Sequence, residues 1–163
     1  MTKAIICILL LIFQPTVSNA SQESRPTMNQ WYAHVKVMAK KYNLDPNLCA
    51  ALAAGESGYK GEEVRFCWVG GGRWHGPYNL ARCFFRYGDI TDWRVNTELG
   101  IAALARKLEK YGTLWNALRH YNTGDKGKKF KSYVNNIKRL QRQYEKRGVF
   151  VEPPKNYSLK MTR

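Results

Sequence analysis

One carboxylate in this sequence stands out by its surroundings. Glu56 follows the run Ala50-Ala51-Leu52-Ala53-Ala54-Gly55, which carries no other charge back to Asp45. On a helix turning about 100° per residue it falls roughly 80° from Leu48. That places it on the flank of the stripe made by Leu48, Ala51, Leu52 and Gly55, not opposite it. A carboxyl there is partly desolvated, which disfavours its charged form and raises its pKa. An acid that holds its proton near neutral pH can serve as a general acid; the plain alternative is a solvated helix-end glutamate.

Other side chains could support such chemistry. Trp68, Trp74 and Tyr78 offer flat faces for sugar rings, although aromatic packing beneath a long loop uses the same residue types. His34, His75 and His120 have no evident partners and read as surface or structural. Cys49, Cys67 and Cys83 are widely spaced and lack clustered histidines, so no zinc site, metal or cofactor is expected.

These residues need elements to hold them. Thr27 is suited to cap a helix over 27–43, with Trp31, Val35, Met38, Ala39 and Tyr42 on one face. Asp45-Pro46 reads as N-cap and first turn of a second helix over 46–57, whose small residues let a neighbour approach closely. From 58 to 92 periodicity is lost among glycines and aromatics. A stretch that long inside a small domain is more often functional than a mere connector.

Helical spacing returns over 96–111, with Gly112 as terminator, and Thr113 heads a short helix that ends at Asn122-Thr123-Gly124. A last helix, 129–147, buries Phe130, Val134, Ile137, Leu140 and Tyr144 and turns Lys131, Lys138, Arg139, Arg142 and Lys146 outward. The expected fold class is all-α (mainly α), a single domain with an irregular, aromatic-rich insert.

The ends read differently. Lys3, the apolar run 4–13 and Ser18-Asn19-Ala20 have the pattern of a cleaved secretory signal peptide, residues 1–20. The run is too short to span a bilayer as an anchor, which takes roughly 20 residues. Residues 21–147 then form the domain, opening with an irregular lead-in, and 148–163 a basic tail. Export predicts a periplasmic or secreted protein with no stable membrane anchor. It also permits a disulfide, Cys67–Cys83 by preference, with three reduced thiols as the alternative. The formal charge of +15, of which the leader contributes only Lys3, suits an anionic partner. Wall, envelope polymer and nucleic acid all qualify.

Three motifs in order sharpen this. Tyr42-Asn43-Leu44-Asp45-Pro46 followed by Ala53-Ala54-Gly55-Glu56-Ser57-Gly58-Tyr59 resembles the start of the lytic transglycosylase (SLT-type) domain of the lysozyme-like superfamily. Asn96, Gly100 and Leu104 resemble that family's Asn-x-x-x-Gly-x-x-x-Leu helix. Ala117-Leu118-Arg119-His120-Tyr121-Asn122-Thr123-Gly124 resembles its Ala-x-x-x-Tyr-Asn-x-Gly element. The likeness runs over about residues 29–140. One segment departs: Gly76-Pro77-Tyr78-Asn79-Leu80-Ala81-Arg82 is the best counterpart of a groove-lining Gly-Leu-Met-Gln, with Asn79 in the glycine's place and Arg82 in the glutamine's.

The resemblance implies a lysozyme-like fold and cleavage of peptidoglycan between N-acetylmuramic acid and N-acetylglucosamine, with Glu56 as acid and then base. Ser57 would contact substrate or steady the glutamate, Tyr121 would bring its hydroxyl near Glu56, and Asn122 would hold the turn or a sugar amide. Tyr78 and Asn79 complete the candidate substrate contacts. Two alternatives stay open: a hydrolytic muramidase pairing Glu56 with Asp89, Asp92, Glu62 or Glu63, and a non-catalytic, polyanion-binding protein. No specific nucleic acid is expected. An envelope-spanning secretion or conjugation apparatus is one setting for such an enzyme; wall remodelling and phage lysis are others.

Overall fold

The computed structural model describes residues 25–58, 63–123 and 131–150. The expected leader, Glu62, Gly124, Phe130 and residues 151–163 of the expected tail lie outside the described residues.

Helix α1, Met28–Lys41, begins in a capping box: the Thr27 side chain accepts from the Gln30 backbone N–H, and the Gln30 side chain reaches back to Thr27. Its buried residues, Trp31, Val35 and Ala39, lie on the expected face. Helix α2, Pro46–Ser57, starts at an Asp45 cap and runs through the centre of the domain, with Leu48 to Ala53 all buried. Its small residues admit helix α5, Lys131–Arg147. A Cβ on Gly55 would lie 2.2 Å from Ile137 Cδ1, so the pair fit at this separation because one of them has no side chain. The Gln141 amide donates to Asp45 Oδ2 at 2.7 Å and pins α5 to the start of α2.

Helix α3, Trp93–Tyr111, is capped by Asp92 and ends at Gly112 in the left-handed conformation. It begins three residues before the start expected from the sequence. Trp31 Nε1 donates to Thr97 Oγ1 at 3.2 Å, joining α3 to α1. Helix α4, Leu114–Thr123, buries Ala117 and Leu118 and packs between α3 and α5. Val149 and Phe150, assigned to the tail by sequence, pack against the core, with Phe150 on the rings of Tyr32 and Tyr144. The domain therefore continues past 147.

The insert corrects the all-α expectation. The fold is mainly helical but also carries a small antiparallel sheet with an aromatic cluster. Strands β1 (Trp68–Val69), β2 (Trp74–His75) and β3 (Leu80–Ala81) lie in that order, Trp68 opposite His75 and His75 opposite Leu80. A 3-10 helix, Arg82–Tyr87, follows. The thiols of Cys49, Cys67 and Cys83 are all free, Cys49 buried and the other two exposed, so the expected Cys67–Cys83 bridge is absent. No helix among the described residues is long and apolar enough to cross a membrane.

Candidate active site

One polar side chain, that of Asn96, bonds the insert to α3 at three points. Asn96, fully buried, accepts from the Tyr78 N–H at 3.1 Å and donates to His75 O at 2.9 Å and Ile90 O at 3.1 Å. Two glycines make room for this knot. Gly76 turns with φ +72°, and a Cβ there would sit 2.5 Å from Asn96 Cγ. Gly100 forms a notch for the Tyr78 ring, where a Cβ would come within 2.1 Å of Tyr78 Cγ. His75 donates its Nδ1–H to Ile90 O at 2.9 Å, and burial lowers its pKa. It is structural, as is His34, which meets Arg94 O.

Between the insert and the α3–α4 pair lies a cleft of about 420 Å³. Glu56 lines it together with Tyr121 and Asn122 from α4 and Trp74, Asn79 and Phe84 from the insert. Glu56 is half-buried. Loss of water lifts its carboxyl from 4.5 to about 7, against the opposing pull of the Tyr133 hydroxyl, which donates to Oε1 and favours the ionised form. Among the described residues that line the cleft, Glu56 is the only acid.

Three other carboxylates, Asp92, Asp89 and Glu63, are committed elsewhere. Asp92 caps α3 by accepting from the Arg94 N–H at 2.6 Å. Asp89 accepts from Thr91 N at 2.9 Å and Oγ1 at 2.7 Å, bonds that lower its pKa. Glu63 meets the Arg147 guanidinium at 3.2 Å. Among the described residues no group of three His, Cys, Asp or Glu side chains is placed to hold a metal ion.

Several expected contacts are revised. The buried Ser57 hydroxyl donates to Ala53 O and accepts from the Arg65 N–H, both at 3.0 Å, so it ties down the chain after α2 and is not a cleft contact. Tyr78 borders the cleft, but its ring is 1% exposed and its hydroxyl donates to Cys49 O at 3.0 Å. With no free face it cannot stack on a sugar. Trp68 is not in the lining; it packs on His75 and Phe85. Trp74, 37% exposed, is the tryptophan that faces the cleft.

Asn79 explains itself through its backbone. Its φ of +51° is left-handed, a region glycine and asparagine enter most readily, so Asn is a workable stand-in for Gly at this turn. Its Oδ1 is buried in the cleft wall with no hydrogen-bond partner among the described residues. Arg82 turns away from the cleft: its Nε donates to Gly72 O at 2.7 Å and its guanidinium lies 5.1 Å from the Trp68 ring centroid.

Tyr121 sits beside Glu56 in the cleft, and its pKa is raised by burial first and by the glutamate's charge second. The hydroxyl that bonds the carboxyl is nevertheless that of Tyr133, on α5, which the sequence reading missed. Tyr133, Ile137, Leu140 and Tyr144 recur at i, i+4, i+7 and i+11, a helical stripe that could have flagged it. His120, read as surface or structural, also lines the cleft, as does Asn122.

Tyr133→Phe tests the coupling. Removing a donor that favours the carboxylate raises the Glu56 pKa further, by about one pH unit for a charge-assisted bond of 1.5–3 kcal/mol partly replaced by water. Any activity that needs protonated Glu56 then persists to correspondingly higher pH, which a pH–rate profile reads directly. An unmoved alkaline limb would mean that the hydroxyl does not control this proton.

No protein-family model matches the chain, and no curated protein or solved structure matches it either.

Proposed function

We propose that the protein is a lytic transglycosylase of lysozyme-like fold that cuts peptidoglycan glycan strands. The observation that carries this reading is a lone half-buried acid, its pKa near 7, in a cleft with an aromatic side. A volume of 420 Å³ lies in the ~300–1,000 Å³ range of small-ligand sites.

Most glycosidases divide the work between two carboxylates. Here the described cleft offers one, and a substrate that carries its own nucleophile needs no more. Protonated Glu56 gives its proton to the glycosidic oxygen as the bond from muramoyl C1 to that oxygen breaks, releasing the N-acetylglucosamine 4-hydroxyl. The muramoyl 6-hydroxyl then attacks C1 and passes its proton to the Glu56 carboxylate, closing a 1,6-anhydro ring and restoring the acid. Intramolecular attack replaces the ordering of a water. A pKa near operating pH suits a group that must give and then take a proton.

The commitment of Asp89 and Asp92 to helix and turn caps weighs against a two-carboxylate muramidase. The leader-like residues 1–20 support action outside the cytoplasm, on the wall, and an envelope-spanning apparatus that needs a gap there is a fitting partner. Mass spectrometry of sacculi digested with the purified protein is the test. The expected products end in 1,6-anhydro-muramoyl groups; ends that have gained water would replace this reading with hydrolysis, and intact strands would end it.

A further inference from the structure

We propose that the outer face of the insert, Phe85 with Arg82 and Arg86 around it, docks reversibly on the surface of an anionic phospholipid bilayer. This face lies outside the cleft, and its role does not depend on what the cleft cuts.

The 3-10 helix Arg82–Tyr87 has the composition of a core segment, with Cys83, Phe84, Phe85 and Tyr87 among its six residues, yet none of the six is buried. Such a helix makes a turn every three residues, so positions three apart share a face. Phe84 and Tyr87 share one, with ring centroids 6.0 Å apart, and Phe84 lines the cleft. Arg82 and Phe85 share a second, both against Trp68, at 5.1 and 6.1 Å from its ring. Cys83 and Arg86 occupy the third. Arg82, Cys83, Phe85 and Arg86 are all exposed. Phe85 at 43% and Tyr87 at 53% are the most exposed large apolar side chains among the described residues.

Charge accompanies these rings. Between Glu63 and Asp89 the chain holds four arginines and no carboxylate. Arg73 joins the patch from the neighbouring strand, its carbonyl accepting from the Arg82 N–H at 3.3 Å. Among the described residues no carboxylate pairs with Arg73, Arg82 or Arg86. Each guanidinium lies instead near a ring, that of Trp74, Trp68 and Tyr87 respectively, at 5.6, 5.1 and 4.8 Å. Asp89, the next acid along the chain, is held by Thr91.

Guanidinium groups bond phosphate oxygens, and amphipathic aromatic rings settle at the headgroup level of a membrane. The two together match a surface that is phosphate-rich outside and apolar beneath. A soluble polyanion would use the arginines and leave Phe85 idle. Stacked bases would compete with the guanidinium groups already on Trp74 and Tyr87. The outward side of α5 carries Lys138, Arg139, Arg142 and Lys146 but, among its described residues, no exposed large apolar side chain, so it attracts anions without offering anything to insert.

Co-sedimentation of the purified protein with vesicles tests the assignment, using phosphatidylcholine alone and with about one-third phosphatidylglycerol. Near an anionic surface each arginine is worth about fivefold in binding, so the mixed vesicles should be favoured by about a hundredfold. Arg86→Gln, whose contact in the structure is the Tyr87 ring, should weaken that binding about fivefold. Phe85→Ser should weaken it about tenfold, with circular dichroism confirming the fold. Arg142→Gln, an equal loss of charge on α5, should change it by less than about twofold. Soluble polyphosphate and oligodeoxythymidylate should bind the parent at least about tenfold more weakly than the mixed vesicles, without regard to Phe85. Equal binding to the two kinds of vesicle, or none, would overturn the docking surface. So would an Arg142→Gln loss that matches Arg86→Gln, or soluble polyanions bound as tightly as lipid. None of these results bears on the cleft.

Discussion

Glu56→Gln is expected to abolish glycan cleavage while leaving the protein at least as stable as the parent. Glutamine keeps the shape of the side chain and can still accept from the Tyr133 hydroxyl, but it has no proton to give to a leaving oxygen. General acid–base assistance is worth ~10²–10⁴-fold, so the rate of anhydro-muramoyl release should fall by at least that factor, about 3–5 kcal/mol of barrier. Residual cleavage above a few per cent would remove Glu56 from the mechanism. Circular dichroism and thermal unfolding of the variant keep loss of chemistry separate from loss of fold.

The stability half of this prediction follows from the same carboxyl. Its pKa is about 7 in the folded protein and 4.5 in an exposed chain. A group whose folded pKa is raised stabilises the fold fully below the unfolded value, and that contribution is lost as pH climbs through the folded one. Between pH 4.5 and 7 the parent should therefore lose stability relative to the variant, by an amount approaching ~3 kcal/mol at 1.36 kcal/mol per unit. His34 and His75 run the other way. Burial lowers their pKa values, so their contribution is present above about 6.5 and lost as pH falls. Both histidines are common to parent and variant and cancel in the difference. Urea unfolding at pH 5 and pH 8 reads that difference, and a gap between the two proteins that does not widen at pH 8 would show a carboxyl already solvated.

How far the sequence reveals this arrangement depends on the length of the signal. Caps and long stripes are local, and Thr27, Asp45, Thr113 and Gly112 mark helix ends through hydrogen bonds to backbone only a few residues away. Glu56 was legible for the same reason, since the apolar run that desolvates it immediately precedes it. The strands of the insert, two residues each, are too short for any alternation to register. Tyr78 was read as a candidate sugar contact because nothing near Gly76-Pro77 in the sequence shows what would bury its ring. Only the notch at Gly100, twenty-two positions on, makes it core. Tyr133 was passed over because Val134 beside it already satisfied the helical stripe, and its use depends on α5 crossing the end of α2, which no local pattern encodes.

Asn96 should be the most costly polar side chain to remove from this fold. Its amide uses both of its donors and one acceptor site on three backbone groups presented from the insert. Asn96→Ala strands the Tyr78 N–H outright, at about 1–3 kcal/mol. It also takes a donor from Ile90 O, which keeps the His75 ring, and from His75 O, and it leaves a cavity against Gly76. The sum should reach roughly 3–5 kcal/mol, a large share of the 5–15 kcal/mol typical of a domain. Asn96→Asp separates hydrogen bonding from packing, because the side chain keeps its volume but, once ionised, faces two carbonyl oxygens with no proton to offer. Its folded pKa must therefore be raised, so its stability should be greatest at low pH and decline as pH rises toward 8, whereas the deficit of Asn96→Ala carries no such dependence. Because the same three bonds hold the strand that carries Trp74, Asn96→Ala should also weaken oligosaccharide binding under conditions where α1 to α5 remain folded. A variant that unfolds in urea within 1 kcal/mol of the parent would mean that the insert is held instead by its apolar contacts, with Tyr78 in the Gly100 notch as the principal one.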